Sequence, residues 1–490
     1  MKTIISRILA LALILSLCFS LAACNFGKGA TLSTEVYEGD VIYVGNTAAT
    51  TGAGASIGVP FNLGIQAAFA AYNANGGFNG KTVALRHYDD GGDSAQAVAL
   101  MEKLIHEDNI FAVVGNYGTY AVEANLSILK ENCVPMVYAA SGAGSLFNNN
   151  ATEDGDRCIF PVQPLNQSEG QVLILRAFAP AIDGEGNYLG GLGGTKVGVI
   201  SNSDEASQSM VEGIRLEAET SGLTEIVYQN VSSDDYSAAA SALQAAGCDV
   251  IIVTVVGSYF VSALTALANV NYNKSILTTY NNASTTVFND ENSRLTETGL
   301  NIFSKMDIYA QGWLDVNDLS YYYKDTNSNL YNAYRFLGMI QKDADGNELG
   351  VPGFTEKYWS AAINIFNYAA SLNDKNIIPI TMSYDPYALA GYIAGDLFCQ
   401  ALEEMEAQGK ELSRANLVEI LESKKFTLAM ADEISYQNGI RAGVQSYSLI
   451  AFFDTYDLPE GMGKTDYHAA SSNTVYPLAS IEDYRELLKK

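Results

Sequence analysis

Val41-Ile42-Tyr43-Val44-Gly45-Asn46-Thr47 is a short apolar strand pattern, and the helix pattern after it decides the fold. Phe61, Ile65, Ala68, Phe69 and Tyr72 recur at helical spacing and stop at Asn75-Gly76-Gly77, the punctuation of a helix C-terminus. A second strand pattern, Thr82 to Tyr88, comes next, and Asp93 or Ser94 can cap a helix carrying Val98, Met101, Leu104 and Ile105. Ile110 to Gly115 then reads as a strand buried on both faces, Thr119 to Lys130 as a helix and Val134 to Ala139 as a strand. Strands alternating with helices in this way build βαβ units, hence a parallel sheet with helices on both faces.

The rhythm restarts after a join near residues 158–195. Lys196 to Ser201, Glu225 to Asn230, Val250 to Val256 and Ser275 to Tyr280 read as strands; Gln208 to Thr220, Ser237 to Ala246 and Tyr259 to Val270 read as the helices between them. The expected fold class is therefore α/β, with two doubly wound parallel-sheet lobes. Ala181 to Gly194, with five glycines in its last nine residues, reads as a surface loop. Residues 310–383 contain a Tyr-rich, polar stretch, including Tyr321-Tyr322-Tyr323 and Asp343 to Gly350, and read as an insertion. Helical patterns return over Asp385 to Ala407 and Ser413 to Glu422, and Tyr447 to Phe453 closes the pattern as a strand.

Before residue 40 the chain reads as an export address. Lys2 and Arg7 precede an apolar run from Ile8 to Leu17, which leads to Leu21-Ala22-Ala23-Cys24. A basic head, a short apolar stretch and small residues before a cut make a secretory signal over residues 1–23, and the run is too short for a lasting membrane span. Leu-Ala-Ala before Cys24 resembles the lipobox of bacterial lipoproteins, which implies lipidation of Cys24 as the new N-terminus; cleavage by the ordinary signal peptidase is the alternative. Residues 24–39 read as a lipid-anchored tether. The chain carries a net charge of −27, which disfavours nucleic acid and anionic lipid headgroups as partners. With 490 residues it exceeds what one core supports, so two domains are expected.

Several short segments in this order carry a family likeness: Val41-Ile-Tyr-Val-Gly, Gly52 to Gly58, Gly64 to Gly77, Tyr88-Asp89-Asp90, Lys103-Leu104-Ile105, Val113-Val114-Gly115, Val134-Pro135-Met136 and Ile434-Ser-Tyr-Gln-Asn-Gly. Together they resemble the type I periplasmic binding proteins, specifically the branched-chain amino acid and amide-binding group of ABC-transporter receptors. That resemblance implies a three-crossing hinge, placed near residues 160–164, 282–286 and 434–440. Lobe one would hold 40–162 plus 285–436, with the 310–383 insertion inside it, and lobe two 163–284 plus 437–490.

Ligands of open α/β sheets sit beyond the carboxyl ends of the strands, and two such sheets facing each other make a cleft that closes by hinge rotation. The loops at that place in lobe one include Asn116-Tyr117-Gly118-Thr119 and Ala140-Ser141-Gly142, where small residues let backbone N–H groups approach and hydroxyls can donate. The family matches Thr119 to a hydroxyl residue on the ligand carboxylate, and Ala140 to Gly142 to its second ligand loop; a plain strand-to-helix turn with Thr119 as N-cap is the alternative. In lobe two the candidates are Asp204, Ala206, Tyr280 and Asn281. Asn281 falls where the amino acid binders place a carboxylate for the ligand ammonium, and an amide offsets a desolvated ammonium poorly. Asp204 or Glu205 can take that role, or the ligand lacks an ammonium. Tyr280 offers a ring face or simple packing.

Cys18 leaves with the signal, so Cys133, Cys158, Cys248 and Cys399 remain beside Cys24. Cys133 and Cys158 flank neighbouring segments of lobe one, as a disulfide or as buried free thiols. His106-Glu107-Asp108 begins like a zinc-protease motif without the second His, and no Walker loop or paired-cysteine metal spacing occurs. The expectation is a monomeric, non-enzymatic solute-binding protein without cofactor or metal. It would be a lipoprotein on the outer face of the bacterial cell membrane, capturing a small polar solute, an amino acid foremost, for an ABC permease with its ATPase. The alternatives are a sensor module signalling to a membrane partner, or a binder of amides, urea-like solutes or small aromatic acids.

Overall fold

A computed structural model describes residues 30–283 apart from 234, 302–314 apart from 304, 322–352 apart from 344, 356–429, 431, 433–454 and 470–489. The signal sequence and Cys24 lie outside the described residues. So do Tyr321 and residues 284–301.

The first sheet is wholly parallel. Its strands are β1 (Val41–Ala48), β2 (Thr82–Asp89), β3 (Ala112–Tyr117), β4 (Met136–Ala140) and β5 (Ile159–Pro161), in the order β2-β1-β3-β4-β5. Helices α1 (Ala55–Ala74), α2 (Ser94–His106) and α3 (Thr119–Glu131) make the crossovers. β3 and β4 are apolar almost throughout because both their faces are covered. Asp93 is the N-cap of α2, accepting from Gln96 N–H.

The chain then passes into the second lobe through α4 (Asn166–Phe178), a helix inside the expected join. β6 (Val197–Ser201), α5 (Glu205–Ser221), β7 (Ile226–Asn230), α6 (Ser237–Ala246), β8 (Val250–Val253), α7 (Ser258–Asn269), β9 (Ser275–Thr278) and β10 (Asp307–Gly312) come after it. With β11 (Ser446–Asp454) and β12 (Ala470–Ser480) they form one sheet ordered β12-β11-β10-β9-β8-β6-β7, whose last two strands in the chain are antiparallel additions. Helix α11 (Ile481–Leu488) closes this lobe: Arg176 of α4 donates to Tyr484 Oη and to the carbonyls of Tyr447 and Ser448.

Sheet pairing redraws the expected boundaries. β10 pairs in parallel with β9, so the second crossing falls after Gly312 rather than at 282–286, and 302–312 belong with lobe two. Trp313, immediately after, already lies in the first core. The stretch 310–383 is no single insertion either. Helix α8 (Glu356–Ser371) buries Tyr358, Trp359, Ala362 and Ile365 in that core, where Trp359 stacks on Tyr323 at 4.2 Å. Helix α9 (Pro386–Ala407) lies along α1, and α10 (Arg414–Ser423) comes next in the chain. The tether is also shorter than residues 24–39. Leu32 N–H donates to Asp154 Oδ2, Tyr37 N–H donates to the Leu412 carbonyl, and the Tyr37 ring packs on Phe111.

Cys133, Cys158, Cys248 and Cys399 are free and buried. Cys133 Sγ donates to the Lys130 carbonyl at 3.7 Å, and the neighbouring Cys133 thiol together with burial pushes Cys158 up.

Candidate functional site

The strand ends of the first sheet bring the predicted lobe-one residues together, with unequal roles. Asn116 is fully buried, and its Oδ1 accepts from both Thr47 N–H and Thr47 Oγ1 at 2.9 Å. It clamps β3 to β1. Tyr117 is half-buried against Phe61, and burial pushes its phenol up to about 12. Gly118 has φ 95° and ψ 129°, a conformation for glycine, and a Cβ there would strike the Tyr120 ring. It is the N-cap of α3, without a side-chain bond. Thr119 is therefore not the cap. Its exposed hydroxyl pairs with Ser141 Oγ at 2.8 Å.

Ser141 and Gly142 are anchored from below. Ser141 Oγ accepts from Ala143 N–H at 3.1 Å, and the Gly142 carbonyl accepts from Asn166 N–H at 2.8 Å. The Gln163 amide meets its neighbours properly only with its oxygen toward this loop, where it accepts from Gly142 N–H at 3.1 Å and Tyr280 Oη at 3.2 Å. Ala140 is buried at the same turn. The loop thus carries a hydroxyl pair whose Thr119 member is exposed and whose Ser141 member is buried, while the Gly142 amide meets Gln163 at the first crossing.

In the second lobe the predicted residues separate further. Asp204 is exposed and clasped to Asn202, whose Nδ2 donates to Asp204 Oδ2 at 2.6 Å. Ala206 is half-buried against the core of the second lobe. Glu205 is the residue that reaches lobe one, accepting from Gly144 N–H at 3.3 Å. Asn281 is exposed, with its backbone N–H and its Nδ2 both donating to Thr279 Oγ1 at 3.2 Å. Asn282, beside it, is buried and ties the turn to the β8 end: Nδ2 donates to the Val255 carbonyl and Oδ1 accepts from Gly257 N–H.

Sequence reading missed Glu169. This carboxylate on α4 is fully buried, accepts from Tyr280 N–H at 2.7 Å and from Thr279 Oγ1 at 2.8 Å, and is pushed by burial up to about 7. The phenols of Tyr280 and Tyr447 are raised in turn by burial and by Glu169. The available signal was an acid among Leu165, Val172 and Leu173.

Asp90 is buried and accepts from Tyr120 Oη at 2.7 Å. Sequence reading also passed over Gly54-Ala55-Ser56-Ile57-Gly58, which has the spacing of a nucleophile elbow, but Ser56 lies in the first turn of α1. His87, on the neighbouring strand, is engaged by Thr50 Oγ1 and Asn46 Oδ1, both at 3.0 Å. Among the described residues no group of three or more His, Cys, Asp or Glu could hold a metal ion.

A two-sheet chain whose strand ends face each other across a hinge is matched by the model of a known family, described as periplasmic binding protein, over residues 41–303. The chain belongs to the periplasmic binding protein family. An amino acid binding protein of Pseudomonas aeruginosa is 27% identical over 223 residues, covering 45% of this chain and 54% of that one. A Leu/Ile/Val-binding protein homolog 2 of Brucella abortus is 27% identical over 212 residues, covering 43% and 53%. The chain spans about half the length of the curated relatives it matches. Solved structures extend the likeness to nearly the whole fold. A leucine binding protein of Thermotoga maritima is 15% identical with TM-score 0.55, covering 89% of this chain and 99% of that one. A periplasmic binding protein type 1 of Bordetella pertussis is 14% identical with TM-score 0.57, covering 88% and 100%. The fold is that of a type I periplasmic binding protein with two lobes. This family comprises non-enzymatic solute-binding proteins that work outside the cytoplasm.

Proposed function

We propose that this periplasmic binding protein is the solute receptor of an ABC importer, tethered to the outer face of the cell membrane through lipid on Cys24. It captures a small polar solute between its lobes and delivers it to a permease with its ATPase. An amino acid is the leading solute, in keeping with the relatives named for amino acid and Leu/Ile/Val binding. The observation that carries the reading is chemical complementarity between the lobes: the Thr119–Ser141 hydroxyl pair keeps one O–H free to donate to a carboxylate, and exposed Glu205 of the opposite lobe offers an anion to an ammonium. Exposed, uncharged Asn281 favours a second reading, a ligand that carries an amide in place of the ammonium.

A thermal-shift screen of L-amino acids, their amides, urea and small aromatic acids tests both. Ligand at a hundred times its dissociation constant adds about 2.7 kcal/mol of stability, and Thr119→Ala should weaken the hit about tenfold through one lost hydrogen bond to a charged group. Glu205→Gln should weaken amino acids and spare amides. A hit indifferent to both substitutions places the ligand elsewhere.

A further inference from the structure

Asn281 does not hold its own orientation. Its backbone N–H and one of its two Nδ2 hydrogens point at one atom, Thr279 Oγ1, and that hydroxyl in turn donates to Glu169 Oε2 at 2.8 Å. A hydroxyl has one hydrogen and two lone pairs. With Glu169 ionised, Thr279 gives its hydrogen to the carboxylate and takes both these Asn281 hydrogens, so every valence of the hydroxyl is matched.

We propose that Glu169 is a positioning residue of the ligand cleft, fixing Asn281 through the Thr279 hydroxyl and releasing it when the carboxylate takes up a proton. The inference rests on the reading of Asn281 as a cleft residue.

The site of that proton is set by the geometry. Oε1 faces the Tyr280 N–H, which cannot accept, so the proton goes to Oε2 and Glu169 becomes the donor to Thr279 Oγ1. Three donors then converge on an oxygen with two lone pairs. One of the two Asn281 bonds must break, and the Asn281 side chain, exposed to solvent, is the freer to leave.

The surroundings let this happen near neutrality. Burial raises Glu169 to about 7, with the bonds from Tyr280 and Thr279 opposing that rise. The 279–282 turn brings Tyr280 and β11 brings Tyr447 to face it, both phenols held neutral by burial. Helix α5 meets α4 at Gly170 through the backbone of Met210. The nearest charges on these helices are engaged elsewhere, Arg176 with Tyr484 and two carbonyls and Glu217 with Arg485.

Nuclear magnetic resonance of the full, ligand-free chain labelled with 15N at Asn and Tyr tests this. In the wild type the Asn281 side-chain NH2 and the Tyr280 backbone amide should titrate together with a midpoint near 7. Glu169→Gln keeps the shape but offers an N–H where the proton would sit. Its Asn281 signals should stay, at every pH, where the wild type has them at low pH. Thr279→Val removes the relay alone, so Tyr280 should still titrate while Asn281 stops. Absence of titration in the wild type overturns the proposal, as does an Asn281 titration that survives either substitution. Because no ligand is present, these outcomes are independent of what the cleft binds. If the relay holds and Asn281→Ala leaves solute binding unchanged, only the cleft reading fails.

Discussion

Glu169 has no solvent exposure, and burial raises its carboxyl from 4.5 to about 7; the same shift makes stability depend on pH. Below 4.5 the folded and unfolded chains both carry the proton. Between the two values the folded chain keeps it while the unfolded chain releases it, so stability falls as pH rises toward 7, by up to about 3 kcal/mol for the full shift. Asp396, which burial raises to about 6, adds a smaller loss of the same sign. Asp89, lowered to about 2 by the Thr51 hydroxyl, opposes it only in stronger acid. The contribution of Glu169 is isolated by the difference between wild type and Glu169→Gln in urea unfolding. The variant should gain on the wild type from pH 5 to about pH 7 and level off above it, and a constant difference throughout would show that Glu169 ionises as freely in the fold as in the unfolded chain.

Helix–helix contact in lobe one depends on glycines placed where backbone meets backbone. A Cβ on Gly64 of α1 would strike the Ala388 carbonyl, and one on Gly391 of α9 would strike the Phe61 carbonyl. Gly391→Ala gains roughly 1 kcal/mol of helix propensity and yet should destabilise the protein by about 2 kcal/mol, since a carbonyl in a helix cannot swing aside and the helices must part. Chemical unfolding decides it, and an unchanged or raised midpoint would mean that the helices separate without loss. Such elements also show what sequence makes legible. Strands β1, β3, β4, β6, β8 and β9 were readable because burial on both faces leaves apolar runs bounded by turn residues, and the half-exposed edge strands β2 and β7 were readable from the turn residues that bound them. β10 was not. Asp307-Ile-Tyr-Ala-Gln-Gly alternates like an edge strand, but it is central and buries Gln311. α4 was hidden too, because its buried face begins with Asn166, Ser168, Glu169 and Gly170 rather than with apolar residues. The cleft divided in the same way. Its loops were found from the strand ends, whereas Asn116 as a clamp and Glu169 as a support depend on partners far apart in the chain.

The lobes are joined at crossings that lie side by side, as Val444 N–H donates to the Val162 carbonyl and a Cβ on Gly443 would strike the Gln163 carbonyl. Crossing strands so close together act as one hinge, and away from it the lobes meet where Gly144 approaches α5. A Cβ built on Gly144 comes 2.8 Å from Ser209 Oγ, a separation compatible with a disulfide at that place. The double variant Gly144→Cys, Ser209→Cys should therefore join the lobes when a disulfide donor such as oxidised glutathione is added: each new thiol loses its proton, the two sulfurs share one bond, and the donor leaves as two thiols. Neither single variant should bridge in this way, because Cys133, Cys158, Cys248 and Cys399 are all buried. Mass spectrometry after alkylation should find the bridged peptide pair only in the oxidised double variant. The bridged form should resist opening in small-angle scattering until reductant is added. If the pair bridges but scattering still reports lobe separation, the hinge is not where these crossings put it; if it never bridges, the approach of Gly144 to α5 is not a resident state of the molecule in solution.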